Sequence, residues 1–136
     1  MWQYGGPSPI PDTTITVEVP DGTTVDNPVL PSILYRLKVG SGYKLEACSP
    51  DDDPTKVYLC EVLSRVATMG PVGVLVLWPG ILVIRVLPYN PAEAPSVGDS
   101  IKISSDGKTL TGQAHAVGKG LVMKVDATTA TCEVFL

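Results

Sequence analysis

The residues with chemical potential in this chain are few and scattered. The single histidine, His115, stands between Ala114 and Ala116 in a Gly-flanked stretch. A general base needs a nucleophile and an orienting acid near it, and a metal needs further ligands. With one histidine, a multi-histidine site would require several copies meeting on an axis. Asp51-Asp52-Asp53, between Pro50 and Pro54, is the densest cluster of charge. Such acids could contribute oxygens to Ca²⁺, but the D-x-D-x-D-G order with a closing Glu is missing. The cluster reads as a solvated loop, or as acids that pair with Lys or Arg of a neighbouring subunit. Gly118-Lys119-Gly120 lacks the G-x-x-x-x-G-K-[ST] frame of a phosphate loop. Thr23-Thr24 has no base beside it. From these residues we expect no enzyme, no cofactor, no bound metal and no small-molecule substrate.

Cys48, Cys60 and Cys132 cannot all pair within one chain, and none shows C-x-x-C spacing. Each lies in an apolar run, where a free thiol packs as a small hydrophobe. The opening residues, Met1 to Gly6, have neither a basic n-region nor an apolar h-region, so they do not read as a signal peptide. The expectation is synthesis in a reducing cytoplasm.

The elements that would position these side chains are strands. A chain of 136 residues is the size of one domain. Its 13 Pro and 13 Gly are scattered between apolar runs, as turns are in an all-β protein. Residues 1–11 form a Pro/Gly-rich arm with Trp2, Tyr4 and Ile10 as apolar anchors, and residues 12–136 form a single β domain. Thr13 to Val19 alternates as a strand with one apolar face. Ile33 to Val39 fits a strand or a helical turn, Tyr43 to Cys48 a strand, and Lys56 to Val66 a strand with room for a bulge.

Val72 to Leu87 is the most apolar run. It is shorter than the roughly 20 residues a spanning helix needs, and Pro79-Gly80 divides it. It reads as two buried strands joined by a type II turn. Both alternating faces of Val74-Leu75-Val76-Leu77 are apolar, so this strand is covered on both sides, within a closed barrel or by another subunit. Pro88 to Pro95 is a proline-spaced connector. Asp106-Gly107 centres one hairpin and Asp126 to Thr129 a second. The pattern predicts an all-β fold, a small sandwich or barrel of about eight to ten short antiparallel strands behind an extended N-terminal arm.

Charge narrows the partners. Residues 1–70 hold nine acids against five bases, and the remainder is balanced, giving the net charge of −4. A phosphate-tracking protein needs a basic stripe, and an anionic membrane surface selects a polybasic patch. Neither is present, so we expect neither nucleic-acid nor membrane binding. Trp2, Tyr4, Trp78 and Tyr89 sit in an arm, a turn and a connector, where aromatics often anchor protein interfaces. With Ile10 and the three acids Asp51, Asp52 and Asp53, they are the candidate partner-binding residues. Phe135 reads as core.

From V-G-D-S-I-K-I at Val97 and G-L-V-M-K-V-D-A-T-T-A-T-C-E-V-F-L at the C-terminus, the chain resembles the capsid decoration (cement) proteins of tailed bacteriophages. In these a V-G-D strand start precedes a small loop, and a G-x-x-x-x-x-D-A-x-x-x-x-x-V-x-L strand pair closes the chain. The likeness covers roughly residues 57–136. It implies a β-rich structural protein, often a homotrimer, on the outside of an icosahedral virion, where it clamps neighbouring copies of the major capsid protein. The stretch from Val97 would then be scaffold, with capsid contacts in the front half. The alternatives are a tail or baseplate module, a small trimeric β enzyme of the dUTPase kind, and a single-strand nucleic-acid-binding barrel. Fibre repeats, an acidic catalytic motif on a Tyr-bearing hairpin, and basic residues beside aromatics would mark these in turn. None of the three marks occurs.

Overall fold

The computed structural model describes residues 14–50, 52, 56–63, 66–77 and 84–136. The fold is all-β, and the described residues form ten antiparallel strands in three sheets. Among the described residues no helix is long and apolar enough to cross a membrane.

The first five strands are β1 (Thr14–Val17), β2 (Leu34–Lys38), β3 (Ser41–Ala47), β4 (Leu59–Val62) and β5 (Val72–Val76). They form one sheet in the order β1-β5-β4-β2-β3. The two edges of this sheet meet. Glu18, just past β1, bridges in parallel to Lys44 of β3. The Glu18 N–H donates to Tyr43 O at 2.7 Å, and Leu45 N–H donates to Glu18 O at 3.0 Å. The sheet therefore curls into a small barrel, and closure removes most of its exposed edge. Val17, Tyr35, Leu45, Cys60, Val62, Val72, Val74 and Val76 fill the inside, with Val29 from the β1–β2 loop.

The second half repeats this plan. Its strands are β6 (Ile84–Pro88), β7 (Ser100–Ile103), β8 (Leu110–Gln113), β9 (Leu121–Asp126) and β10 (Thr131–Phe135). The ladders run β6-β10-β9 and β7-β8. Two junctions join them. Val122 N–H donates to Asp99 O at 2.7 Å and Ile101 N–H to Lys119 O at 3.0 Å, tying β9 to β7. Tyr89, just past β6, bridges in parallel to Leu110 of β8. The circular order β6-β10-β9-β7-β8 matches β1-β5-β4-β2-β3 strand for strand, including the single parallel junction.

Local chemistry supports each turn. Asp106 accepts from Ser104 Oγ, Lys108 N and Thr109 N at 2.6, 2.7 and 3.0 Å. Gly107 is required there: its φ is +70°, and a Cβ would lie 2.9 Å from Cys48 O. Asp126 likewise accepts from Thr128 N at 2.9 Å in the β9–β10 turn.

The two barrels share their packing. Leu34, Leu59, Leu75 and Leu77 lie on the outer surface of the first barrel. They are buried in the same cluster as Leu87, Ile101, Ile103, Leu110, Val122, Cys132 and Val134 of the second. This explains the doubly apolar strand. Val72, Val74 and Val76 of β5 face the first interior, while Leu75 and the following Leu77 face the second. The face that could have met another subunit is covered by the chain itself.

Several expectations need correction. β5 and β6 are not a hairpin: β5 pairs with β1 and β4, and β6 pairs with β10. One closes the first barrel and the other opens the second, so their apolarity has separate causes. Nor is β6 buried on both faces, since Ile84 and Val86 are 53% and 59% exposed. The proposed Pro79-Gly80 turn lies outside the described residues. Among the described residues of the strand expected over Lys56–Val66, strand is found at Leu59–Val62, and within Ile33–Val39 the segment Leu34–Lys38 is strand rather than helical turn. The connector holds a 3-10 turn at Pro91–Glu93, capped by Asn90, whose side chain accepts from Ala92 N at 3.0 Å.

Candidate functional site

Of the candidate partner-binding residues, Trp2, Tyr4, Ile10, Trp78, Asp51 and Asp53 lie outside the described residues. Asp52 and Tyr89 are placed, and both face inward. The Asp52 side chain is only 7% exposed and is ion-paired with Arg36 of β2. Its other oxygen accepts from Ser49 N at 2.7 Å. Glu46 Oε2 lies 2.8 Å from Arg36 Nε, an ion pair without hydrogen-bond alignment. Asp52 thus fastens the β3–β4 loop to the first barrel, using an arginine of its own chain rather than one from a neighbour. Tyr89 is 4% exposed, and its hydroxyl donates to Asp126 O at 3.4 Å. It belongs to the second core, as the proline connector folds back across the barrel.

His115 is exposed, and its environment explains its role. Ser100 Oγ donates to His115 O at 2.9 Å and lies 3.0 Å from His115 Nδ1. With its proton committed to the carbonyl, the hydroxyl is an acceptor toward the ring, not a nucleophile the ring could activate. Ser100 is also fully buried, so substrate could not reach it. The pair pins the loop after β8. Its contact could not be read from sequence, because the partners are 15 residues apart.

The three cysteines are buried and free. Burial, the dominant cause in each, pushes Cys48 and Cys60 up to about 12 and Cys132 up to about 11. Thiols buried and raised in this way carry little thiolate at neutral pH. No group of three or more His, Cys, Asp or Glu among the described residues is arranged for a metal.

A cleft of about 580 Å³ opens at one end of the first barrel, lined by the β1–β2 loop and by β2, β3 and Lys108. Within its lining Asp21 pairs with Lys38, and also with Lys44 of β3. Hydrogen bonds from Lys44 and Lys38 hold the Asp21 carboxyl below its usual range. The lining brings together no nucleophile and base.

The remaining feature is a surface. On the outer side of β6-β10-β9, directly paired residues share one face. One row is Ile84, Phe135 and Leu121; the next is Val86, Glu133 and Lys124. Met123 is exposed at the bulge beside them. The face is apolar toward Ile84, Val86 and Phe135, with the Lys124–Glu133 pair 3.7 Å apart across it and a more polar row of Pro88, Thr131 and Asp126 beyond. Sequence reasoning assigned Phe135 wholly to the core, yet its side chain is half-buried on this outer face. No family model matches the chain, and no curated protein and no solved structure matches it either.

Proposed function

We propose that this chain is a structural virion protein of the phage decoration type, a trimer that binds major capsid protein on the outer shell and clamps neighbouring capsomers. The observation that carries this reading is the placement of the residues behind the resemblance. V-G-D-S-I-K-I leads into and forms β7, and G-L-V-M-K-V-D-A-T-T-A-T-C-E-V-F-L supplies β9 and β10. These strands make up most of one closed unit, the second barrel. The apolar outer sheet of that barrel suits a protein whose work is contact with other proteins. Buried, unreactive thiols fit assembly in a host cytoplasm before release in the virion.

The test is to mix purified protein with mature, decoration-free capsids and examine the shells by electron microscopy. Saturable added density on the outer surface is the expected result, and bare shells would refute the reading. The arm carries a separate expectation. Deleting residues 1–11 should leave the fold unchanged and weaken shell binding; equal binding by the truncated chain would remove the arm from the interface.

A further inference from the structure

We propose that the outer face of β6-β10-β9 receives the β2–β3 hairpin of a second copy of this chain, head to tail. The contact deepens the trimer reading above and depends on that reading only for its closure as a ring of three.

The two barrels have the same strand plan, so each has the same two attachment elements. The first element is a hairpin: β2–β3 in one barrel, β7–β8 in the other. The second is an outer face: β5 and β4 in one, β10 and β9 in the other. Inside the chain one hairpin and one face are used together. The β7–β8 turn lies against the first barrel, where Lys108 O accepts from Leu34 N at 2.9 Å and Gly107 approaches Cys48 O. Ile101, Ile103 and Leu110 of that hairpin pack in one cluster with Leu59, Leu75 and Leu77 of the first barrel's outer face.

Among the described residues the other hairpin and the other face are left over. The inward pair Val76–Cys60 corresponds to Val134–Val122. Counting outward, Leu59, Leu75 and Leu77 correspond to Leu121, Glu133 and Phe135. The first set is buried by the second barrel. The second set, itself only partly buried, lies with the exposed Ile84, Val86 and Met123 on an outer sheet face that the first barrel does not bury. The unused hairpin, meanwhile, exposes Val39 and Tyr43 at 80% each. Single large apolar residues at a surface are ordinary, but here two lie in the hairpin whose counterpart is a docking element. One free hairpin and one free face on the same molecule are complementary rather than identical. Their association is heterologous, and it closes into a ring when the rotation per subunit allows.

The experiment uses the full-length protein without capsids. Sedimentation equilibrium across a concentration series should show self-association of the wild type. Val86→Asp, on the face, and Tyr43→Asp, on the hairpin, should each weaken it at least about tenfold, as a charge placed in an apolar contact does. Circular dichroism checks their folding, and Ile84→Lys and Val39→Asp replace either variant that fails. Mixing the two variants should restore a dimer and nothing larger, since one intact hairpin then meets one intact face. A monomeric wild type, unchanged association in the variants, or a mixture without dimer would each overturn the proposal. A monomer that still coats capsids would sink this contact and leave the decoration reading standing; an oligomer that ignores capsids would do the reverse.

Discussion

Replacing Asp52 by Ala separates a structural role from a contact role for the acidic loop. The carboxylate makes an ion pair with Arg36 and accepts the Ser49 N–H at 2.7 Å. Arg36 Nε has no aligned acceptor, so among the described residues the alanine variant leaves that guanidinium with the poorly aligned Glu46. Exposed pairs contribute about 0–1 kcal/mol, whereas breaking a fully buried one costs about 3–5 kcal/mol. With side chains 22% and 7% exposed, the Arg36–Asp52 pair lies between those limits. We expect Asp52→Ala to cost about 2 kcal/mol, and Asp52→Asn about half as much because the amide oxygen can still accept from Ser49. At a urea m-value of about 2 kcal/mol/M, the alanine midpoint should fall by about 1 M. Urea titration followed by circular dichroism measures this directly. An unchanged midpoint would refute the internal role, and if shell binding fell at the same time Asp52 would be a partner contact after all.

Three further outcomes follow from buried groups and turns. Cys48, Cys60 and Cys132 should all resist a thiol reagent in the native protein and react together on unfolding; rapid native labelling of any one would contradict its burial. Burial would raise the Asp106 carboxyl, but hydrogen bonds from Ser104, Lys108 and Thr109 outweigh it and hold the group at about 2, from an ordinary value of 3.8. A depressed carboxylate stabilises the fold above its unfolded value and ceases to as pH falls through the folded one. After discounting for solvent screening, Asp106 should contribute about 1 kcal/mol at neutral pH, lost between about pH 4 and pH 2, so an Asp106→Asn variant should lose this part of the wild-type acid dependence. Leu77→Ala, which empties a site between the barrels, should cost about 2–5 kcal/mol in a thermal melt followed by circular dichroism; a near-neutral result would mean that the two cores do not share this residue.

Strand existence and the two C-terminal hairpins were legible because turn chemistry is local. Asp106-Gly107 and Asp126 to Thr129 carry their own hydrogen-bond instructions within three residues. The double covering of Val74 to Leu77 was legible for the same kind of reason, since alternation reports both faces. What alternation cannot report is the partner. Val72–Val76 and Ile84–Pro88 are near in sequence and similarly apolar, yet one pairs with a strand about sixty residues earlier and the other with a strand about fifty residues later. The repeated strand plan was hidden because equivalent positions differ chemically: Leu75 against Glu133, Leu77 against Phe135. Only their pairing and burial match. Asp52 looked like a solvated acid because Arg36, 16 residues before it, is brought near by the β2–β3 hairpin. Ser100 and His115 meet for a comparable reason, across the β7–β8 pair.

The sharing of the second core by both barrels also sets an order of events as the chain folds. Every member of the first interior cluster lies between Val17 and Val76, so that barrel has its complete core once β5 exists. The second cluster includes Leu34, Cys48, Leu59, Leu75 and Leu77, so it needs a surface that only the finished first barrel presents. We therefore expect vectorial assembly, with the early barrel acting as a template for the late one. Residues 1–77 expressed alone should unfold cooperatively, and residues 78–136 alone should not. The reverse result would remove the dependence of the second barrel on the first.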